Sequence, residues 1–99
     1  MNQTCRIYIQ YQIKSTYIKE YENMMKKVID YLPSLGANQI DWYNCEQDTY
    51  LESFSLPTVS HFVALKKLRN KRKHSIFGML DQFIEGGIEN IQIHAIKVQ

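Results

Sequence analysis

Tyr8, Gln10 and Gln12 alternate with Ile7, Ile9 and Tyr11 near the start of this 99-residue chain, which sets an aromatic hydroxyl and two carboxamides on one side of a strand. A few polar groups among aromatics can orient a small molecule, and the lone Trp42 offers a surface on which a planar ligand stacks, so Tyr8, Gln10, Gln12 and Trp42 are the candidate ligand-binding residues. The same side chains fit dimer contacts or a solvated face, and a single tryptophan also fits a core or interface anchor. His74 is the first candidate for acid–base chemistry, because an unperturbed imidazole titrates at about 6.5, and Tyr8 is the second. Placed after Arg72 and Lys73, His74 equally suits a surface or helix-start position.

No carboxylate pair, nucleophile–base couple or phosphate-cradling glycine loop accompanies these residues. Gly86 and Gly87 follow a helical pattern, whereas a dinucleotide motif would precede one. His61, His74 and His94 fall on different elements, and Cys5 and Cys45 lie forty residues apart without a CxxC pair. That spacing points away from a structural zinc site and from a disulfide framework, so the expectation is no metal, no cofactor and two reduced thiols that are at least half-buried.

The elements that must position these residues follow from periodicity. Residues 5 to 13 read as a strand with Cys5, Ile7, Ile9, Tyr11 and Ile13 inward and Arg6, Tyr8, Gln10 and Gln12 outward. From Thr16 to Leu32 the spacing becomes helical, with Ile18, Tyr21, Met25, Val28 and Leu32 on one stripe, until Pro33 and Gly36 stop it. Gln39 to Glu46 and Thr49 to Leu56 form a hairpin around Gln47 and Asp48. Thr58 or Ser60 caps a second helix carrying Phe62, Leu65 and Leu68 on one side. A further amphipathic segment with Ile76, Phe77, Leu80, Phe83 and Ile84 leads to the glycine pair, and Ile88 to Val98 alternates as a last strand. A break in the second helix is expected between Lys71 and Ser75; one continuous helix is the alternative.

This β-α-β-β-α-β order is that of the ferredoxin-like split βαβ fold, an α+β class in which both helices cover one face of a four-stranded antiparallel sheet. The other face then lies open and carries Tyr8 and hairpin aromatics, as binding or dimer surfaces do. At 99 residues and 44% hydrophobic content the chain makes one domain, residues 1 to 99. A domain this small buries only roughly 60 to 70% of its unfolded surface, so association helps it. No run approaches the roughly 18 apolar residues of a membrane span, and with no signal-like apolar segment the expected location is cytoplasmic.

Lys66, Lys67, Arg69, Lys71, Arg72 and Lys73 hold six of the twelve basic residues, leaving six bases against ten acids elsewhere. Such a run can neutralise phosphates, but the net charge is only +2 and no RNP-like strand or helix-turn-helix motif accompanies it. Specific nucleic-acid binding is not expected. On a helix Lys66, Arg69 and Lys73 share one side, as in a solvated face, and an acidic partner is the alternative.

Tyr50-Leu51-Glu52-Ser53-Phe54, the following helix, Lys73-His74-Ser75-Ile76-Phe77, and Leu80 to Gly87 before a last strand together resemble the dimeric α+β barrel proteins, within them the antibiotic biosynthesis monooxygenase-like group. The resemblance covers about residues 5 to 98. Glu52 and Phe54 match the group's acidic residue two before an aromatic, and His74 with Phe77 approximates its His-Phe kink. The resemblance implies a homodimer with two sheets face to face and a small cavity on the polar-aromatic side of each. Some relatives oxidise aromatic substrates with dioxygen and no cofactor, and others degrade haem. Haem chemistry is disfavoured, because the positions of its asparagine, tryptophan and histidine align with Ile9 or Gln10, Lys71 and Asp81. The expectation is therefore a dimeric binding protein for a small aromatic or apolar molecule, with two alternatives: a cofactor-free monooxygenase using Tyr8, Trp42 and His74, and a regulatory module whose basic helix meets an acidic partner.

Overall fold

The computed structural model describes residues 4–98. Strand β1 (Thr4–Gln12) leads through a short 3-10 turn into helix α1 (Ile18–Tyr31); β2 (Asn38–Glu46) and β3 (Thr49–Leu56) form the hairpin; α2 (Val59–Arg69) and an irregular segment precede β4 (Gln92–Val98). The sheet order is β2-β3-β1-β4, and every neighbouring pair is antiparallel. This is the expected ferredoxin-like arrangement. Among the described residues no helix is long and apolar enough to cross a membrane.

The period-two pattern of β1 acts as read: Cys5, Ile7, Ile9, Tyr11 and Ile13 are buried, while Arg6 and Tyr8 are half-buried and Gln10 and Gln12 exposed. In register with them, Tyr50, Glu52, Phe54 and Leu56 of β3 turn toward the helices. Helix α1 answers with Tyr21, Met24, Met25 and Val28 on its buried stripe. It ends in a 3-10 turn containing Pro33 and closes at Gly36, whose φ of 94° a side chain rarely adopts. Asn44 donates its amide to the carbonyls of Gln47 and Thr49, which holds the hairpin turn.

Helix α2 starts as expected, with Thr58 Oγ1 accepting the His61 N–H at 3.1 Å. It ends at Arg69, earlier than the expected break, and the continuous-helix alternative is excluded. The chain folds back so that a Cβ placed on Gly78 would lie 2.1 Å from the Arg72 carbonyl oxygen. Only glycine permits that approach, and a helix running on from Arg69 does not produce it. The expected amphipathic segment is then a 3-10 turn, Phe77–Leu80, and Ile88–Asn90 is another, so the last strand begins at Gln92 rather than Ile88. Cys5 is buried as expected, but Cys45 is exposed, because it lies on the edge strand β2.

Candidate functional site

The open face of the sheet is set by strand register. Tyr8 sits between Ser53 of β3 and His94 of β4, and Asp41 of β2 lies beyond Ser53, giving a lateral row Asp41, Ser53, Tyr8, His94. In the next row Arg6 lies between Ser55 and Ile96. The Arg6 guanidinium donates from Nε to Ser53 Oγ (3.0 Å) and from Nη1 to Ser55 Oγ (3.1 Å) and the Gln39 carbonyl (3.0 Å). Its Nη2 meets Asp41 Oδ2 at 3.3 Å. Around these groups lies a concavity of about 550 Å³, bordered also by Tyr8, Ile96 and Val98.

The candidate ligand residues are divided by the fold. Tyr8 borders the larger concavity, whereas Gln10 and Gln12 line a separate dent of about 190 Å³ with Thr49, Asn90 and Gln92. Trp42 pairs with Glu52 in register and lies on the helix side of the sheet, so it does not join the other three. There its Nε1 donates to Tyr21 Oη at 2.9 Å, and its ring stacks on Tyr50. The neighbouring aromatic, Tyr43, is the exposed one.

Beneath the helices a polar network runs through the core, and sequence reading missed it. Arg69, expected on the solvated side of its helix, is 1% exposed and grips Glu52, also 1% exposed, with two parallel bonds of 2.6 and 2.8 Å. Tyr11 donates its hydroxyl to Glu52 Oε2 at 2.5 Å, which leaves Tyr21 to donate to Tyr11 at 2.6 Å and Trp42 to donate to Tyr21. Three donors in series, Trp42, Tyr21 and Tyr11, thus end on the carboxylate that Arg69 grips directly. The Arg69 guanidinium also lies 4.7 Å from the Phe77 ring centroid. Burial, reinforced by the Glu52 charge, raises the Tyr11 and Tyr21 pKa values well above the usual phenol range. Burial acts against the charge of Arg69, but the facing Glu52 outweighs it and holds the guanidinium protonated. Tyr50, buried and bonded at 2.6 Å to Glu22, is pushed up to about 12. No buried side-chain nitrogen or oxygen among the described residues lacks a partner. A network this complete leaves no polar group waiting for a ligand.

His74 is a turn-forming residue. Its Nδ1 accepts the backbone N–H groups of Ile76 (3.1 Å) and Phe77 (3.0 Å), its ring stacks on Phe77, and Nε2 lies 3.5 Å from the Tyr31 hydroxyl. Accepting two N–H bonds requires an unprotonated Nδ1, so the proton of the neutral ring sits on Nε2. Burial, then Lys71 and Arg69, lower its pKa. The two residues suggested for chemistry are therefore apart: His74 packs in the helical layer and Tyr8 lies on the open face. His61 is tied to the cap of α2 through a 2.6 Å contact with Thr58.

The basic run is not one surface. Arg69 is in the core, and Arg72, on the outside, bridges Asp81 at 3.5 Å and Glu89 at 2.5 Å. The Arg72 side chain is 55% exposed, and helix α2 ends before reaching it. Lys66, Lys67, Lys71 and Lys73 remain exposed. Among the described residues no three His, Cys, Asp or Glu side chains are grouped to hold a metal ion.

No protein-family model matches the sequence, and no curated protein is similar to it. Solved structures do share the fold. A conserved protein of Methanosarcina mazei Go1 superposes with a TM-score of 0.75 at 15% identity, over 98% of this chain and 94% of that one. A candidate antibiotic biosynthesis monooxygenase of Nitrosomonas europaea gives 0.71 at 7% identity, over 99% and 92%. A NIPSNAP family protein of Agrobacterium tumefaciens gives 0.68 at 11% identity, over 100% and 89%. Likeness at such identities concerns the fold alone, and that fold is the ferredoxin-like one these proteins share.

Proposed function

We propose that this chain acts as a small-molecule-binding homodimer in which the open faces of two sheets meet and the concavity beside Tyr8 becomes the ligand cavity. One observation carries this reading: the two faces of the sheet are unequal. The space between the sheet and its helices is filled by a satisfied network, whereas the open side keeps a concavity of about 550 Å³ among polar, aromatic and apolar groups. Ile96 and Val98, 56% and 47% exposed on the open side of β4, supply apolar surface for a second copy. Tyr8 orients the ligand, and Gln10 and Gln12 border the rim of the face. The separation of Tyr8 from His74 and Trp42 favours binding over a cofactor-free oxygenase reaction that needs all three. Sedimentation at micromolar concentration tests the assembly. A dimer is expected, and Ile96→Glu should release monomers that keep the fold; a folded wild-type monomer at that concentration defeats the reading.

A further inference from the structure

Arg6 is immobilised in a way that a surface arginine seldom is. Three bonds, to Ser53, Ser55 and the Gln39 carbonyl, fix the Nε and Nη1 side of the guanidinium plane and leave the Nη2 corner beside the concavity that Arg6 borders. The guanidinium is thus preorganised before any ligand arrives. Among the described residues its acidic partner is Asp41, whose oxygen lies 3.3 Å away, longer than the roughly 2.7 to 2.9 Å of a firm charge-assisted bond. The Asp41 side chain is 52% exposed, so water can take its place at little cost. Toward the β4 edge the same concavity is bordered by Ile96 and Val98, with Tyr8 between.

A fixed cation at one side, a replaceable carboxylate on it and apolar surface at the other side describe the two ends of one ligand class. We infer that the open face takes a small monocarboxylate with an aromatic or apolar body, the ligand's carboxylate replacing Asp41 on Arg6 Nη2 and its body lying along Tyr8, Ile96 and Val98. A single guanidinium with Asp41 close by suits one negative charge better than the two of a phosphate monoester, which Asp41 would repel. The inference rests on the proposed cavity and adds the charge and polarity of what fills it.

Calorimetric titration of the purified protein with 2-naphthoate and its neutral isostere 2-naphthamide separates the two layers. Naphthoate should bind at least about tenfold more tightly than the amide, as expected for a charge-assisted pair in a partly desolvated site. Arg6→Gln should abolish that preference. Asp41→Asn, at an exposed position that does not endanger folding, should tighten naphthoate binding several-fold and leave the amide unchanged, because the competing carboxylate is gone. Equal affinities for the two probes in both the wild type and Asp41→Asn overturn the carboxylate inference and leave the cavity standing. Binding of neither probe overturns both.

Discussion

Arg6 and Arg69 lie on opposite faces of one sheet, and each pairs with an acidic residue of the β2–β3 hairpin. Arg69 holds Glu52 through bonds of 2.6 and 2.8 Å with both side chains 1% exposed; Arg6 meets Asp41 at 3.3 Å with the side chains 20% and 52% exposed. The same pair of chemical groups therefore does two different jobs. In the interior neither partner can turn to water, so the pair is locked, and Glu52 accepts a third bond from Tyr11, itself held by Tyr21 and Trp42. On the open face the acid can leave without stranding a charge, which makes the site exchangeable. Polar residues gathered in a core are not evidence of a binding site when their bonds close on one another; the half-satisfied pair at the surface is the better place to look.

The strongest way to break this comparison is to remove each arginine. Arg69→Ala should destabilise the protein by about 3 to 5 kcal/mol, because Glu52 is left charged and buried without its partner. Arg6→Ala should cost about 1 kcal/mol or less in the same urea titration. The double change Glu52→Leu with Arg69→Met should recover most of the loss, since replacing a whole buried pair with apolar groups of similar volume is often neutral. A double variant as unstable as Arg69→Ala would show that the network, and not the unpaired charge, carries the stability.

A smaller effect is expected along the donor chain. Tyr11→Phe removes a hydroxyl bonded to a buried carboxylate and should cost about 1.5 to 3 kcal/mol, whereas Trp42→Phe removes a neutral donor at the chain's outer end and should cost about 1 kcal/mol. The tyrosines also set an alkaline limit. Tyr11, Tyr21 and Tyr50 have folded pKa values raised above the unfolded one of about 10. The unfolded chain gives up these protons first, so stability present below pH 10 should fall as pH rises beyond it. Denaturation midpoints between pH 9 and 11 check this, and Tyr11→Phe should show the shallower decline.

The backbone plan was legible in the sequence, because β1, α1 and the hairpin each carry one clear period, and the burial of Ile7, Ile9, Tyr21 and Val28 follows from it. The core network was not, since Arg69 falls among lysines and its charge argues for solvent. Two signals pointed the other way. Arg69 lies four residues after Leu65, on the apolar stripe, and Glu52 alternates with Tyr50 and Phe54 at an inward position that calls for a buried cation. Trp42 was ambiguous for a different reason. Trp42 and Tyr43 are adjacent aromatics on an edge strand with register shifts on both sides, so alternation alone does not say which one faces the helices. The early end of α2 goes with a close approach of Gly78 to the Arg72 carbonyl, which helical periodicity does not reveal.

His74 gives a weaker test on the acid side. Its folded pKa is lowered, so the unfolded chain takes up the proton first, and the stability it contributes is present above about pH 6.5 and lost as pH falls below that value. His74→Asn, which keeps an acceptor for the N–H groups of Ile76 and Phe77, should flatten that part of the pH–stability curve. A ring titration by NMR that placed His74 above the ordinary histidine value would contradict the turn-capping role.

The smallest expected effect is the most useful for the comparison. Asp41→Asn should change folding stability by no more than about 0.5 kcal/mol, because an exposed carboxylate at 3.3 Å contributes little and Arg6 keeps its bonds to Ser53, Ser55 and Gln39. A larger loss, measured by urea unfolding at pH 7, would mean that Asp41 is a fixed member of the Arg6 cluster, as Glu52 is of the Arg69 cluster. The open face would then be as closed as the core. An unchanged midpoint leaves Arg6 held by neutral groups alone, with its charge directed at whatever enters the concavity.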